Sequence, residues 1–256
     1  MSKKTHTPKK LSHKKRQKTW TDHLLTFIIL TGLSVSVALV LNEYDSTQSA
    51  KEAAEALTLA NVQADTVLAN QQAEVDFDYS NIKPVTAQNI ADALSQVNVY
   101  DLPVIGGVAI PDLQINLPII KGISDAGMFT GAATMNADQQ MGTGNYPLAS
   151  HRSLYDDVLF GALHKATTDM PVYLSDLETV YQYTVVSNEV VSPETMSVLD
   201  PTETPTVTFI TCTLDSKERV IVRAELVEAW PIDEAPAEAL DALNVSPENG
   251  YQNAHQ

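Results

Sequence analysis

The chain contains a single cysteine, Cys212, in the run Val207-Thr208-Phe209-Ile210-Thr211-Cys212-Thr213. A lone cysteine cannot close an intramolecular disulfide, and in an oxidising compartment it is a liability unless it does chemistry. Cys212 is therefore read as a thiol nucleophile. The thiolate is the attacking species, so the site needs a cationic neighbour or a base. Of the six histidines, His6, His13 and His23 fall on the basic, membrane-proximal side of the chain, and His255 falls in its tail. His151 and His164 remain. His151 follows Tyr146-Pro147-Leu148-Ala149-Ser150, an apolar run broken by small residues, as at a strand end opening into a loop. The alternative reading of His151 is a satisfied core or loop histidine. His164 sits in Leu154–His164, the best helix candidate inside this region, where a partly exposed helical histidine is the ordinary account.

Arg219 lies seven residues after Cys212, and Asp215-Ser216-Lys217 between them is a hairpin signal. An antiparallel hairpin brings Arg219 back beside Cys212. Arg223 has the same strand parity but lies roughly 13 Å further along at about 3.3 Å per residue. Arg219 is thus the better contact for a group bound at the thiol, the alternative for either arginine being a solvated strand position.

These residues must be carried by short strands. After Tyr100, Pro and Gly punctuate the β-branched runs Gly107–Pro111, Ile115–Ile120, Val172–Leu174, Val180–Val186, Val207–Cys212 and Arg219–Glu225. That pattern predicts an all-β barrel or sandwich. Ahead of it, Val85–Val97 has Ile90, Ala93, Leu94 and Val97 at helical spacing with Thr86 placed to cap it. Ala50–Ala73 suits a helix with little beyond Ala and Leu to bury, and reads as a spacer lifting the domain off a membrane. Glu234–Leu243 fits a short helix, and the rest of the acidic tail reads as disordered.

Leu24–Leu41 is free of charge, close to the ~20 residues that span a bilayer. Residues 1–19 hold eight Lys/Arg and no acid, which predicts a cytoplasmic N-terminus and an extracellular remainder. The competing reading is a cleaved signal peptide, for which Ser34–Ala38 offers small residues. Its basic region is unusually long, and no clear A-x-A site follows the run, which favours a retained anchor. Residues 42–256 carry 31 acids against eight Lys/Arg. A face this acidic excludes nucleic acid as a partner, because phosphate binding needs a basic surface.

Several runs resemble the sortases. Thr208-Phe209-Ile210-Thr211-Cys212 is similar to their TLxTC signature, with Phe209 where Leu is usual. Leu148-Ala149-Ser150-His151 resembles their histidine motif, and Glu218-Arg219-Val220-Ile221-Val222 their arginine strand. Leu102–Pro111, Ile115–Ile119 and Gly142-Thr143-Gly144-Asn145-Tyr146 are similar to the class A, housekeeping branch. The resemblance covers about Leu102–Trp230 and the order His, Cys, Arg agrees.

The resemblance implies a closed eight-stranded β-barrel with short helices, and a membrane-anchored cysteine transpeptidase. Such an enzyme cleaves Leu-Pro-x-Thr-Gly (LPXTG) sorting signals between Thr and Gly and joins the Thr to an amine of a peptidoglycan precursor. It implies Cys212 as nucleophile, His151 as an imidazolium acid that later acts as base, and Arg219 as a ligand of the substrate backbone or oxyanion. Ala149, Ser150, Ile210 and Thr211 are expected in the substrate groove. Val198 and Leu199, in the loop Ser192–Leu199, are expected as apolar contacts to Leu-Pro. Some class A members bind calcium through acids at positions that here read Asn136, Gln139 and Thr143. Asp138 and Asp200 are too few for such a site, so no metal cofactor and calcium independence are expected.

The implied layout is a basic tail (1–23), an anchor (24–41), a spacer (42–80), a catalytic domain (81–232) and an acidic tail (233–256). Rival readings are a cysteine protease, an L,D-transpeptidase, a pilus-polymerising sortase and a non-catalytic surface scaffold. The protease Cys-Gly-Ser-Cys run is absent. L,D-transpeptidases place His and Cys within a few residues, against 61 here. A pilus polymerase usually has a C-terminal membrane segment, and no apolar run follows Trp230. Asp76-Phe77-Asp78-Tyr79 faintly resembles its lid plug, although chance composition explains the run better. A scaffold does not explain a lone extracellular Cys beside an Arg.

Overall fold

β-Branched runs and turn residues at close spacing produce eight strands. In the computed structural model, which describes residues 20–250, these are β1 (Val104–Ile110), β2 (Ile115–Ile120), β3 (Ala132–Thr134), β4 (Asn145–Ala149), β5 (Pro171–Ser175), β6 (Thr179–Val191), β7 (Thr206–Cys212) and β8 (Arg219–Pro231). They close into a barrel in the order β1-β2-β3-β4-β7-β8-β6-β5. β2–β3 and β4–β7 are parallel, and the other pairs are antiparallel. Alternate side chains of the strands fill the interior, with Leu117, Leu148, Leu174, Tyr183, Phe209 and Val222 buried together. Phe160 meets Phe209 edge-on at 5.7 Å. The expected closed β-barrel is therefore present.

The chain divides into two units, residues 1–42 and 43–256. Within the first, the described residues form the start of α1 (Trp20–Ala56), whose apolar stretch is long and hydrophobic enough to cross a membrane. Each hydroxyl in that stretch bonds to a carbonyl of its own helix: Thr26 to Asp22, Thr31 to Phe27, Ser34 to Thr31 and Ser36 to Gly32. A bilayer interior requires this self-satisfaction, since no water is available there. The basic segment 1–19 lies outside the described residues.

In the second unit, four expectations need correction. Residues 42–80 are not a free spacer. Ala50 and Ala54 at the end of α1, Leu57, Leu59, and Ala64 and Val67 of α2 (Ala64–Gln71) are buried on the barrel. Alanines permit close approach, and Leu59 packs onto Gly107 where any Cβ would collide with it at 2.7 Å. Asn70 Nδ2 donates to Val104 O at 2.9 Å, and Lys121 Nζ to Gln71 O and Ala73 O, both at 2.7 Å. Second, Leu154–His164 is not a helix. Leu159 adopts φ 52°, and Gly161 passes so close to Tyr155 O that no side chain fits. Val158, Phe160 and Leu163 join the barrel core instead, so tertiary burial overrides helical propensity. Third, the chain past Leu243 is ordered as far as Gly250, the limit of the described residues. α5 (Ala237–Leu243) buries Ala239 and Leu243 against Leu59 and Val67, and a 3-10 turn at Pro247–Asn249 follows. Fourth, β3 went unforeseen.

Two caps follow local chemistry. Thr86 accepts from Asn89 N at the start of α3 (Ala87–Ser95), as its position predicts. Ser124 accepts from Gly127 N at the start of α4 (Asp125–Thr130).

Candidate active site

β7 ends at Cys212, and the chain reverses at once. Thr213 N donates to Glu218 O at 2.9 Å, and Ser216 takes the left-handed φ of 60° that the reversal needs. The Asp215 carboxylate accepts from Thr213 Oγ1 at 2.8 Å and from Lys217 N at 3.3 Å. The resulting register sets Arg219 directly opposite Cys212. Arg223 lies four residues further along, opposite Thr208, in an ion pair with Glu189. The hairpin thus selects Arg219.

His151 arrives from another direction. β4 runs parallel to β7 with Ala149 opposite Ile210. Ser150 N then donates to Ile210 O at 3.2 Å, and Thr211 Oγ1 donates to Ser150 O at 2.9 Å. Two residues past the last pair on each strand come His151 and Cys212. Cys212 is the last residue of β7, and His151 opens the loop after β4. Both residues line one cleft of ≈ 580 Å³, together with Arg219.

The His151 ring is buried and stacks on Phe129 of α4, with centroids 4.6 Å apart and planes 26° from parallel. Its Nε2 has no hydrogen-bond partner among the described residues. Burial pushes the imidazole pKa down to about 4, against an opposing pull from the Asp125 carboxylate. In the free cleft His151 is therefore neutral at ordinary pH. A neutral imidazole can accept the thiol proton; the imidazolium then exists only once that transfer has occurred.

This geometry coincides with a known family. The sortase domain family model matches residues 108–227. Sortase A of Streptococcus agalactiae is 35% identical over 228 residues, covering 86% of this chain and 90% of that protein. The chain belongs to the sortase family. It is sortase A-like, and as such a cysteine transpeptidase. Sortase A of Listeria monocytogenes is 33% identical over 156 residues, 60% of this chain and 69% of its own. The solved structure of that enzyme superposes with a TM-score of 0.51, covering 56% of this chain and 97% of its own at 34% identity. Sortase C-3 of Streptococcus pneumoniae, at 20% identity and a TM-score of 0.52, shares the fold over 81% of this chain and 92% of its own.

In this sortase, Ala149, Ser150, Ile210 and Thr211 line the cleft. The hydroxyls of Ser150 and Thr211 are committed internally, to Gly131 O and Ser150 O. Val198 and Leu199 do not line it. Val198 is buried behind Ala149 and Ile210 in one apolar cluster, with Leu199 packed against that cluster. Asn145 Nδ2 holds this turn through Val198 O and Asp200 O, both at 2.9 Å, and Asn136 Nδ2 reaches Leu199 O at 3.4 Å. Gln139 Oε1 accepts from Met135 N and Asn136 N, so its amide braces the backbone. His164 is exposed and bonds to Gly161 O, away from the cleft.

The cleft also has walls that residue types did not announce. Ile123, Met128 and Met135 extend its apolar floor. Tyr79, Ile82 and Lys83 also line it. Lys83 is moored to Asp125 by its backbone N–H at 3.0 Å and by Nζ at 3.1 Å. Tyr79, dismissed with its neighbours as chance composition, is thus a cleft residue. The one available signal was the Ser124-Asp125 helix start, which delivers Phe129 four residues later.

Proposed function

We propose that this sortase cleaves Leu-Pro-x-Thr-Gly sorting signals between Thr and Gly and joins the surface protein to an amine of a peptidoglycan precursor. The observation that carries this reading is that His151, Cys212 and Arg219 line one cleft, with Arg219 opposite the thiol. Neutral His151 takes the Cys212 proton as sulfur attacks the Thr carbonyl carbon. Arg219 donates hydrogen bonds to the oxyanion that forms. The imidazolium then protonates the Gly nitrogen, the C–N bond breaks, and a thioester remains. An incoming amine attacks that carbonyl and gives its proton to His151. The C–S bond breaks, and the sulfur leaves as thiolate or recovers the proton. Two half-reactions of this kind give ping-pong kinetics. The groove floor at Ala149, Ile210, Met128 and Met135 is suited to the apolar Leu-Pro end.

The N-terminal helix acts as the anchor, with residues 1–19 on the cytoplasmic side and the barrel outside. Catalysis is independent of calcium, because Asn136, Gln139 and Thr143 offer no carboxylate. Calcium and chelator added in turn are expected to leave the rate within twofold; a several-fold change rejects this.

The test uses the full-length chain in detergent with a Leu-Pro-x-Thr-Gly peptide, with and without an amine acceptor, read by mass spectrometry. Cleavage after Thr and an amine-linked product are expected, both lost in Cys212→Ala. No cleavage by a chain whose Cys212 alkylates rapidly would reject the sorting signal.

A further inference from the structure

The cations of the barrel unit are few, and nearly all are spoken for. Residues 43–250 contain eight Lys/Arg. Lys51, Lys83, Lys165, Lys217 and Arg223 each pair with a carboxylate. Lys121 is consumed by two backbone carbonyls. Like Lys121, Arg152 and Arg219 form no ion pair among the described residues, and these two line the cleft that holds Cys212. In a unit with so large an excess of acid, two guanidinium groups outside any ion pair at one cleft, where Glu43 is the one acid in the lining, suit it to anionic or oxyanionic groups.

Arg219 is accounted for by its position opposite the thiol. Arg152 is not. It follows His151 immediately and is half-buried, and its Nε–H is enclosed without an acceptor. The nearby Asp156 carboxylate is held by Lys165 at 2.5 Å and feels Arg152 only through space. That enclosed Nε–H is out of reach of a ligand in the cleft, so the terminal guanidinium nitrogens of this half-buried side chain are the donors a bound group would meet. The apolar floor at Ala149 and Ile210 precedes His151 and Cys212 in their strands, whereas Arg152, Ser153 and Leu154 continue the lining past His151. His151 is the group that must receive the proton of the second substrate.

We propose that Arg152 recognises that second substrate, binding an anionic group (a carboxylate or a phosphate) carried by the amine that resolves the thioester. This rests on the transpeptidase reading above. Arg152 thereby favours transfer over hydrolysis by holding the amine at the thioester while water has no such contact. A guanidinium meets either anion through two parallel N–H donors.

The test separates donor from acceptor. Full-length wild type, R152Q and R152K are assayed with the sorting peptide and with dialanine bearing either a free carboxylate or a carboxamide. For wild type, the carboxylate acceptor is expected to show a KM about tenfold lower than the amide, the scale of one charge-assisted contact. R152Q is expected to erase that preference and lower the transfer-to-hydrolysis ratio by a similar factor, while donor kcat/KM falls less than threefold; R152K retains part of the preference. If the physiological anion is a phosphate, inorganic pyrophosphate competes with the acceptor for wild type but not for R152Q. Equal losses in donor and acceptor parameters overturn the proposal, as does the absence of both carboxylate preference and pyrophosphate competition. Calorimetric binding of dialanine and pyrophosphate to the Cys212→Ala chain, with and without R152Q, needs no turnover. Arg152-dependent binding there, alongside an uncleaved sorting peptide, would retain the anion site and reject only the sorting signal. Binding indifferent to R152Q overturns the site itself.

Discussion

The two sides of the reacting pair are built by different means. On one side, Cys212 and Arg219 belong to a single hairpin, and the six-residue turn Thr213–Glu218 sets them opposite each other. That side is partly exposed, and its geometry is local. On the other side, His151 depends on β4 lying parallel to β7, on Thr211 tying the two strand ends, and on Phe129 arriving from α4 to cover the ring. That side is buried, and every contact is long-range. The difference teaches that the cleft exposes its nucleophile and oxyanion ligand while packing tunes its base. Burial, not a hydrogen-bonded carboxylate, sets the state of His151.

The largest break in this contrast is Phe129→Ala. Removing a fully buried aromatic ring costs about 3–5 kcal/mol, and here it also opens His151 to water. Denaturant unfolding should report the loss, while the His151 resonance should titrate closer to 6.5. An unmoved titration would show that Phe129 is not what desolvates the ring. On the local side, Arg219→Ala should lower kcat by about 10²–10³-fold, with the unfolding midpoint nearly unchanged because the guanidinium makes only one backbone contact. A comparable loss of stability would make the hairpin as dependent on packing as the base.

The pH dependence of stability sharpens the contrast further. His151 titrates near 6.5 when unfolded and about 4 when folded. Between those values the unfolded chain holds the extra proton, so stability is full above pH 6.5 and falls as pH falls toward 4. The loss is about 3 kcal/mol at most. Unfolding curves at pH 6.5 and 4.5 should show most of it, and His151→Gln should flatten the slope. Hydrogen bonds lower the Asp215 and Glu194 carboxyls as well, so their contributions are lost only from the low end of this window downward. The smallest effect belongs to the tie between the two sides. Thr211→Val leaves Ser150 O without its donor and should cost about 1–2 kcal/mol, with activity falling more than stability as the strand ends part. Equal behaviour of Thr211→Val and wild type in turnover would mean the register alone holds His151.

Much of this was legible in residue types and spacing. The alternation within Val207–Cys212 and Arg219–Glu225 specified strands, Asp215-Ser216-Lys217 specified their reversal, and the two together placed Arg219. Thr86 marked the start of α3. The run Leu24–Leu41 marked an apolar helix on length and composition alone. These signals are local, because turn φ values, caps and the twofold period of a strand depend on neighbours in the chain.

Other features were decided by contacts between distant segments. β3 has three residues and is a strand only because β2 and β4 flank it. Leu154–His164 carries helix-forming residues, yet its apolar side chains gain more by filling the barrel core than by forming a helix. Residues 50–73 looked too poor in apolar surface to bury, but small residues pack closely where Gly107 leaves room for Leu59. Val198 and Leu199 joined the apolar cluster of Ala149 and Ile210 without lining the cleft, a choice of face that loop sequence does not encode. The chemical identities of nucleophile, base and guanidinium were thus determined by the sequence. The burial of the base, the lining that Tyr79 and Lys83 add to the cleft and the guanidinium left outside an ion pair were decided by tertiary structure, since desolvation and ion pairing depend on which segments meet.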